Sequence, residues 1–345
     1  MTIVSQNSNI GYLVEKLVNG GMPASASIEL TSLCNFRCLH CYLGAKRDEE
    51  KTLTADKWKE ILREMADAGC LSLLITGGEP LLYKDFADVY SFAKKQGFIV
   101  TLFTNGSLLG DEHIELFKRL PPFQIELSFY GSEERTYSKF TGTIGAFERV
   151  LTNTKRMIDA GIRIGIKTML ARGIVGEFDK IRELAGELGV SFRYDGDLCG
   201  AFGVAPSERL SARELVNIER TDAIRVGQWR KNLSSEFIVP KEQLFVCGAG
   251  KSGFHIAPDG TMHPCLLERD ISISLLENSF IEAWKKLKTA VSSQKRTMNG
   301  CDGCEDARLC GFCPPVATLE GVSRAGPSPF HCELAELRKR VVKSI

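Results

Sequence analysis

Cysteine is the residue type in this sequence best suited to chemistry, and the twelve cysteines of the 345-residue chain are unevenly spaced. Cys34, Cys38 and Cys41 lie together near the start, with three residues between the first two and two between the last two. Clustered cysteines in a reducing compartment are more often metal ligands or catalytic thiols than disulfides. We therefore expect separate metal sites in separate parts of the chain. The second group lies toward the C-terminus and comprises Cys247, Cys265, Cys301, Cys304, Cys310, Cys313 and Cys332.

The spacing of the first three cysteines suits an iron–sulfur cluster. Three thiolates bind three irons of a [4Fe–4S] cube and leave the fourth iron open, and an open iron can chelate a substrate. Short cysteine motifs also occur by chance, so the spacing alone leaves open a zinc site or ordinary buried thiols. Zinc is also the alternative for the later group, because its Cys-x2-Cys pairs suit a tetrahedral ion.

The first three cysteines follow a predicted strand that begins a strand–helix alternation extending to about residue 197. Short apolar runs predict buried strands, and amphipathic stretches predict the helices between them. Gly69, Gly97, Gly161 and Gly189 each lie between a helix and a strand, as helix-terminating glycines do. We therefore predict an α/β fold, a partial (β/α)6 barrel of the triosephosphate-isomerase type with its site at the C-terminal ends of the strands. The predicted strands are 26–30, 71–76, 99–104, 124–129, 163–170 and 190–194, and the predicted helices are 54–68, 86–96, 111–120, 146–160 and 177–188.

The rest of the chain predicts a helical bridge and a small cysteine-rich C-terminal domain. Residues 212–229 have helical periodicity, and a further helix is predicted near 280–288. Between them, residues 254–264 predict a hairpin with Asp259-Gly260 at its turn. The predicted segments are an N-terminal extension (1–25), the barrel (26–198), the helical bridge (199–245) and the C-terminal domain (246–345).

Composition narrows the class of protein. The formal net charge of +1 gives no broad electrostatic case for binding nucleic acid or an anionic membrane. No apolar run approaches the ~18 residues that a membrane span needs. Residues 1–9 are polar and lack the basic-then-apolar order of a secretory signal. We therefore expect a soluble cytoplasmic protein.

A second motif, Gly77-Gly78-Glu79-Pro80, follows directly after the second predicted strand. Together with the CxxxCxxC loop after the first strand, it resembles the radical S-adenosylmethionine superfamily. The resemblance implies that groups around this motif bind the methionine ammonium of S-adenosylmethionine. The glycines permit a close backbone approach, and Glu79 supplies an acceptor for a positive ammonium.

Four more strand ends gain expected roles from this resemblance. Asn105 at the end of strand three and Ser128 on strand four would lie beside the ribose. Lys167 or Met169 on strand five and Arg193 on strand six would contact the carboxylate or the adenine. The alternative for Ser128, Lys167 and Arg193 is ordinary packing inside the barrel.

The seven later cysteines resemble the SPASM domain, an auxiliary iron–sulfur extension of many radical S-adenosylmethionine enzymes. All seven family cysteines are present, although two residues instead of the usual three separate Cys310 from Cys313. The resemblance implies a complete outer [4Fe–4S] cluster and an inner one with three cysteines, whose fourth iron is open or bound by another group. By this assignment the outer ligands are Cys301, Cys304, Cys310 and Cys332, and the inner ligands are Cys247, Cys265 and Cys313.

Two cysteines lie outside both groups. Cys199 follows the sixth strand on the mouth side of the barrel, near the expected substrate position. It would donate a hydrogen atom to a substrate radical or fill the open corner of the inner cluster. The alternative is a small, half-buried residue without a role. Cys70 is predicted to belong to the core.

The resemblance implies a reaction. With S-adenosylmethionine and three [4Fe–4S] clusters as cofactors, reductive cleavage yields a 5′-deoxyadenosyl radical that abstracts a substrate hydrogen atom. The protein orients the substrate and excludes water. A flavodoxin- or ferredoxin-type protein would supply the electron. The expected substrate is a ribosomally made peptide that receives a crosslink, a thioether or an epimerised centre.

Other substrates and classes remain as alternatives. Too few residues precede the first predicted strand for a peptide-recognition domain, so a separate protein or the barrel surface would recognise a peptide. Leu266 stands where sulfatase-maturing relatives typically have Asp, which disfavours that branch. The runner-up is an enzyme that modifies tetrapyrrole side chains or another small molecule. A non-catalytic iron–sulfur electron carrier is the alternative of another class, and the intact Gly77–Pro80 motif argues against it.

Overall fold

The computed structural model describes residues 21–44, 51–200, 206–235, 243–295, 301 and 304–344. Within these residues, strands and helices alternate as far as residue 195. The strands are β1 (Ser25–Glu29), β2 (Ser72–Thr76), β3 (Ile99–Thr104), β4 (Gln124–Ser128), β5 (Ile164–Met169), β6 (Ser191–Asp195), β7 (Gly253–Ile256), β8 (Thr261–His263) and β9 (Ile273–Ser274). The helices are α1 (Ala55–Asp67), α2 (Phe86–Lys95), α3 (Asp111–Arg119), α4 (Glu134–Thr141), α5 (Ala146–Asp159), α6 (Phe178–Glu187), α7 (Ala212–Glu219), α8 (Ala223–Ser234), α9 (Phe280–Ser293), α10 (Ala307–Cys310), α11 (Pro314–Leu319) and α12 (Pro329–Lys343).

These nine strands form one sheet in the order β6-β5-β4-β3-β2-β1-β7-β8-β9. Strands β1 to β6 are parallel neighbours in chain order, so the predicted α/β class with a partial barrel is confirmed. β7 pairs parallel with β1 on its other side, and β8 and β9 follow antiparallel. The hairpin predicted for residues 254–264 is therefore present, and it continues the barrel sheet.

Helix α1 illustrates how the sequence specifies a barrel helix. The hydroxyl of its N-cap residue Thr54 accepts a hydrogen bond from the Lys57 amide at 3.3 Å, which satisfies a backbone donor of the first turn. Past its C-cap, Gly69 adopts a φ of 86°, a left-handed conformation that suits glycine. Each large apolar side chain that the helix buries contributes ~1.5–3 kcal/mol relative to exposure. These side chains are Trp58, Ile61, Leu62 and Met65.

Alternation along the strands separates an apolar outer face from a polar inner one. On β4, Ile125 and Leu127 are fully buried beneath the helices, and Ser128 lies on the opposite face. The strand register pairs Ser128 with Lys167 and Lys167 with Arg193. Paired residues of neighbouring strands share a face. Three of the predicted site residues therefore line the inside of the barrel.

Helices α7, α8 and α12 pack around an apolar cluster that includes Leu215, Trp229 and Leu334. Beside it, Glu219 is fully buried, and the Arg338 guanidinium donates to both of its carboxylate oxygens at 2.9–3.1 Å. A buried charge without a partner would cost several kcal/mol, so this geometry is what makes burial tolerable. The ion pair joins the end of the described chain to the segment after β6.

Some elements differ from the sequence predictions. The helix predicted over 212–229 is two helices, because Asp222 caps the second one by accepting from the Ile224 and Arg225 amides. The helix predicted near 280–288 extends to residue 293. Helices α4 and α12 were not predicted at all. Cys70 is buried in the core, as predicted. In the part of the chain that the structure describes, no helix is long and apolar enough to cross a membrane.

Candidate functional site

The loop of the three N-terminal cysteines (34–41) leaves the C-terminal end of β1 and runs beside the end of α4. Two backbone hydrogen bonds join loop and helix, from Arg37 N to Thr141 O at 2.7 Å and from Leu39 N to Phe140 O at 3.0 Å. The unpredicted helix α4 therefore fixes the path of the cysteine loop.

The three thiols of this loop are half-buried. The Phe36 amide donates to Cys34 Sγ at 3.4 Å, and the Cys41 amide donates to the Cys38 carbonyl at 3.2 Å. Burial raises the pKa of the Cys34 thiol to about 11, and the charges of Glu79 and Cys41 add to this effect. A thiolate in this environment needs a bound cation to offset its charge.

This set of donors fits an iron–sulfur cluster. Among the described residues, no group of three or more His, Cys, Asp or Glu side chains has the geometry to hold a metal ion. In a cluster each thiolate binds its own iron, so the ligand sulfurs need not converge on one point. Three half-buried thiols on one loop, spaced as here, meet that requirement.

His40, which the sequence analysis did not single out, lies within the cysteine loop. Its ring packs against the rings of Tyr130 and Phe140, with centroid distances of 4.7 and 5.0 Å. Burial, together with the charge of Lys167, lowers the pKa of His40 to about 4, so its imidazole is neutral. The available signal was its place between the second and third cysteines, where a ring necessarily lies near the thiols.

The Gly77–Pro80 motif packs directly against the start of the cysteine loop. Gly78 N donates to Thr31 O at 2.8 Å, and Glu79 N donates to Leu33 O at 2.7 Å. A Cβ atom on Gly78 would lie 2.3 Å from the Leu33 carbonyl oxygen, closer than any side chain is tolerated. The motif therefore needs glycine here so that the two backbones can touch.

The Glu79 carboxylate is fully buried beside these two segments. Oε1 accepts from the Thr104 hydroxyl at 2.7 Å and the Leu81 amide at 3.1 Å, and Oε2 accepts from the Asn105 amide at 2.8 Å. Burial outweighs these three bonds and raises the pKa of Glu79 to about 7. An ionised carboxylate has about four acceptor positions, so one remains beyond these three donors. Its predicted role toward an ammonium stays a prediction.

Asn105 connects the end of β3 with the cysteine loop. Its Nδ2 donates to Asn35 Oδ1 at 2.8 Å and lies 4.0 Å from Cys34 Sγ. Ser107 completes the network, because its hydroxyl accepts from Asn35 at 2.8 Å and its amide donates to Asn105 at 2.9 Å. A residue predicted beside the ribose thus adjoins the first cysteine of the loop.

Lys167 and Arg193 lie inside the barrel, and both cations face the Phe103 ring, at 4.9 and 5.4 Å from its centroid. Lys167 Nζ pairs with Asp195 Oδ2 at 3.1 Å, and Arg193 Nε donates to Glu126 Oε2 at 2.8 Å. Both cations therefore have carboxylate partners within the barrel. Their contact with a cofactor stays a prediction.

One group of later cysteines surrounds Cys310, at the end of α10. Burial raises the pKa of Cys310 to about 11, and the charges of Cys332, Cys301 and Cys304 add to this effect. The Cys304 amide donates to the Cys301 carbonyl at 3.3 Å, and Cys332 lies in the first turn of α12. The four residues predicted as outer-cluster ligands are neighbours, and their role as ligands stays a prediction.

A second group surrounds Cys313, the residue that precedes α11. Burial raises the pKa of Cys313 to about 12, and the charges of Cys265, Cys247 and Asp197 add to this effect. Cys265 follows the β7–β8 hairpin, and burial raises its pKa, an effect to which the charge of Cys247 adds. The structure thus brings together the three cysteines predicted for the inner cluster, with one aspartate beside them.

Cys199 lies where the segment after β6 meets the segment after α11. There Glu320 accepts from the Gly200 amide at 3.1 Å and from Arg209 Nη1 at 3.1 Å. Burial and the charges of Asp197 and Glu320 raise the pKa of Cys199 to about 11, so the thiol keeps its proton at neutral pH. Its predicted catalytic role stays a prediction.

Glu29, at the end of β1, is a buried carboxylate that the sequence analysis also missed. It accepts from Tyr42 Oη at 2.9 Å and from Arg269 Nη2 at 3.2 Å, and His255 Nε2 lies 3.5 Å away. Burial opposes its ionisation, but His255 and Arg269 lower the pKa of Glu29 to about 2. Tyr42 follows the cysteine loop and Arg269 lies four residues after Cys265, so Glu29 links the two regions.

The sequence profile of the Radical SAM superfamily matches residues 28–185. The matched segment contains the cysteine loop, the Gly77–Pro80 motif and strands β2 to β5. It therefore includes both motifs from which the sequence analysis inferred this resemblance.

Two characterised relatives resemble most of the chain. The AdoMet-dependent heme synthase of Methanosarcina barkeri is 26% identical over 326 residues, which cover 84% of this chain and 91% of the relative. The sporulation killing factor maturation protein SkfB of Bacillus subtilis is 25% identical over 268 residues, 76% of this chain. The chain spans only 64% of the length of SkfB.

A solved structure has the same architecture. Streptococcus suis SuiB bound to its precursor peptide SuiA superposes with a TM-score of 0.74 over 94% of this chain and 80% of that one. Only 20% of the aligned residues are identical, so this likeness concerns the fold alone.

Proposed function

We propose that this chain is an enzyme that cleaves S-adenosylmethionine reductively and abstracts a hydrogen atom from a peptide, and the match of residues 28–185 to the Radical SAM superfamily supports this proposal. The residues that would hold the barrel cluster are Cys34, Cys38 and Cys41. Bound cluster and S-adenosylmethionine would supply the one-electron chemistry and the 5′-deoxyadenosyl radical.

The observation that carries this proposal is the direct contact between the two motifs. The Gly78 and Glu79 amides bond to the backbone at the start of the cysteine loop, at 2.8 and 2.7 Å. Any ligand held at this edge is therefore next to the three thiols, as a reaction between cluster and sulfonium requires. An electron carrier would have no use for such an arrangement.

Other residues would shape and shield the reacting volume. Asn105, bonded to Asn35 and near Cys34, would orient groups beside the first thiol. The rings of His40, Tyr130 and Phe140, which pack against one another, would exclude water from one side of the loop. Exclusion of water and of stray C–H groups matters because a primary alkyl radical reacts with whatever lies nearest.

Two auxiliary clusters complete the proposal. The two groups of later cysteines, around Cys310 and Cys313, support one four-cysteine and one three-cysteine cluster. They would accept the electron that leaves when a substrate radical is oxidised into a new bond. A flavodoxin- or ferredoxin-type protein would supply the electron for the first step.

A peptide is the proposed substrate because the similarity to SkfB, by name the maturation protein of a sporulation killing factor, extends over 76% of this chain. A cavity of about 270 Å³ beside the cysteine loop is open to solvent, and Leu39, Lys139 and Arg172 are among its lining residues. An extended chain could enter there from outside. A separate recognition protein would present the peptide.

A tetrapyrrole is the second candidate substrate. One relative, with a match that covers 84% of this chain and 91% of the relative, is named a heme synthase. Lys139 and Arg172 at the cavity beside the cysteine loop suit the carboxylate side chains that tetrapyrroles carry. Stimulation of 5′-deoxyadenosine formation by a carboxylated porphyrin, and by none of a set of precursor peptides, would favour this candidate.

The test of the enzyme proposal is a single anaerobic incubation. The full chain is reconstituted with iron and sulfide, reduced with dithionite and supplied with S-adenosylmethionine, and 5′-deoxyadenosine is measured by chromatography. We expect 5′-deoxyadenosine and methionine in equal amounts. Bound iron and sulfide without any cleavage would contradict the enzyme proposal and favour an electron carrier.

A further inference from the structure

The proposed inner auxiliary cluster lacks one protein ligand. Its three cysteines, Cys247, Cys265 and Cys313, would bind three of four irons. The inference below rests on the proposed function, because it concerns the fourth iron of that cluster. A protein ligand for this fourth iron must come from a residue near Cys313.

Asp197 has a carboxylate oxygen available for a cation. Its Oδ2 accepts from His331 Nε2 at 3.0 Å. Its Oδ1 is shielded from solvent and has no hydrogen-bond partner among the described residues. A buried, unpartnered carboxylate oxygen is destabilising unless something positive binds it. The Oδ2 atom of Asp197 is therefore held by a hydrogen bond, whereas the Oδ1 atom has none.

Contacts on both sides place Asp197 beside the inner cysteines. The His331 ring that holds it lies 5.6 Å, edge to face, from the ring of Phe312, which directly precedes Cys313. Shortly after Asp197 in the chain, the Gly200 amide donates a hydrogen bond to Glu320. Glu320 is the C-cap residue of α11, and Cys313 is the N-cap residue of the same helix. The charge of Asp197 also acts on the Cys313 thiol.

We propose that Asp197 is the fourth protein ligand of the inner auxiliary cluster, bound to its iron through Oδ1. The ionised carboxylate provides the electron pair, so no electron or proton is transferred on binding. His331 acts as a positioning residue, because it fixes the other oxygen. Since His331 directly precedes Cys332, the same contact spans the two auxiliary clusters.

The assignment leaves Cys199 as a free thiol. The charges that act on Cys199 are those of Asp197, Glu320 and Arg209. The inner cluster is then fully bound by protein and has no iron open to substrate. Its role is electron transfer.

The experiment uses the full chain, reconstituted anaerobically, supplied with S-adenosylmethionine to protect the open iron of the barrel cluster, and oxidised mildly. Iron analysis and EPR spectroscopy are the readouts. In the Asp197→Asn variant the unprotected iron is released, so we expect a [3Fe–4S] signal and about one iron fewer per chain than in the native protein. The Asp197→Cys variant restores the iron and abolishes the signal. Glu320→Gln is the matched control, and it keeps the native spectrum.

A second measurement works on the native protein even if a variant folds poorly. Exogenous cyanide or imidazole perturbs the EPR spectrum of a reduced cluster only where an iron is open. With S-adenosylmethionine bound at the barrel cluster, we expect no perturbation in the native protein. A perturbed inner-cluster spectrum overturns the assignment.

Two other outcomes also overturn it. One is an Asp197→Asn spectrum identical to that of the native protein. The other is loss of iron in Cys199→Ala but not in Asp197→Asn, which transfers the role to Cys199. These outcomes are distinguishable from a failure of the proposed function, in which the native protein forms no 5′-deoxyadenosine.

Discussion

At the scale of single residues, Glu79 has the chemistry most dependent on its surroundings. Three donors from Thr104, Leu81 and Asn105 favour its ionised form, while complete burial favours its neutral form. Burial prevails, and the pKa of Glu79 rises to about 7. Near neutral pH this carboxyl group therefore exists in both forms, and the proposed ammonium site requires the ionised one.

We expect the rate of 5′-deoxyadenosine formation to rise with pH in a step centred near 7, because only ionised Glu79 attracts an ammonium. Glu79→Gln removes this step and lowers the rate by about 10- to 150-fold, as the loss of a charged hydrogen bond of about 1.5–3 kcal/mol implies. The measurement is the initial rate across the pH range around neutrality. Glu112→Gln, at an exposed position, is the control. An unchanged step in Glu79→Gln would refute this role.

The residues that sequence alone could predict are those whose identity and local spacing carry the information. The cysteine loop and the Gly77–Pro80 motif are of this kind. Glu29 and Asp197 are not, because their partners Arg269 and His331 lie 240 and 134 residues away. No local pattern reveals such a pairing. It exists only after the sheet and the helices have assembled.

At the scale of elements, the contact between the β2 end and the cysteine loop depends on a missing side chain. A Cβ on Gly78 would meet the carbonyl oxygens of Ser32 and Leu33, both at 2.3 Å. Backbone atoms anchored by β1 and β2 cannot move aside as a flexible side chain can. The two elements must separate to admit even one methyl group.

Gly78→Ala is therefore expected to abolish cleavage of S-adenosylmethionine while the barrel still folds. Gly186→Ala is the matched control, because Gly186 lies in α6 with no atom within 4 Å of its added Cβ. That control is expected to stabilise the protein by about 0.5–1 kcal/mol through helix propensity. Both variants are compared by 5′-deoxyadenosine assay and circular dichroism. Native-rate cleavage by Gly78→Ala would show that the contact is dispensable.

Helix α12 explains why some elements escaped sequence-based prediction. Its buried positions, His331, Leu334, Ala335 and Arg338, recur at helical spacing, but two of the four are polar. Arg338 is buried only because Glu219, 119 residues earlier, pairs with it. An apolar periodicity search cannot recognise such a face. The six barrel strands, by contrast, have apolar runs that identify them without knowledge of partners.

The same pair yields a stability prediction. Among the described residues, Arg338→Met leaves the buried Glu219 with only the half-exposed Arg225 as an ion-pair partner, so we expect a loss of about 3 kcal/mol in the free energy of unfolding. Adding Glu219→Leu removes the stranded charge and recovers much of this loss. The midpoint of thermal unfolding measures both effects. Arg340→Met breaks an exposed ion pair and should change the free energy of unfolding by less than about 0.5 kcal/mol. Equal effects at the two positions would contradict the argument.

At the scale of the whole molecule, the sheet unites regions that the sequence separates. β7 returns more than 200 residues after β1 to pair with it, and the following hairpin leads to Cys265. Glu29 then bonds to Tyr42 beside the first cysteine loop and to Arg269 beside the later one. The two cysteine regions are thereby held in a fixed relation, while each keeps its own set of thiols.

This separation predicts that cleavage of S-adenosylmethionine can be uncoupled from conversion of the substrate. Cys34→Ala removes a proposed ligand of the barrel cluster, so it should abolish 5′-deoxyadenosine formation. Cys265→Ala removes a proposed ligand of the inner auxiliary cluster and leaves the barrel motifs intact, so cleavage of S-adenosylmethionine should persist while the substrate is not converted. Each variant is reconstituted and assayed for iron and for 5′-deoxyadenosine after reduction. Cys70→Ala, at a core thiol outside both groups, controls for the loss of a cysteine as such. Two results would contradict this division of roles between the two cysteine regions. One is cleavage by Cys34→Ala, and the other is complete loss of cleavage in a Cys265→Ala protein that still binds the barrel cluster.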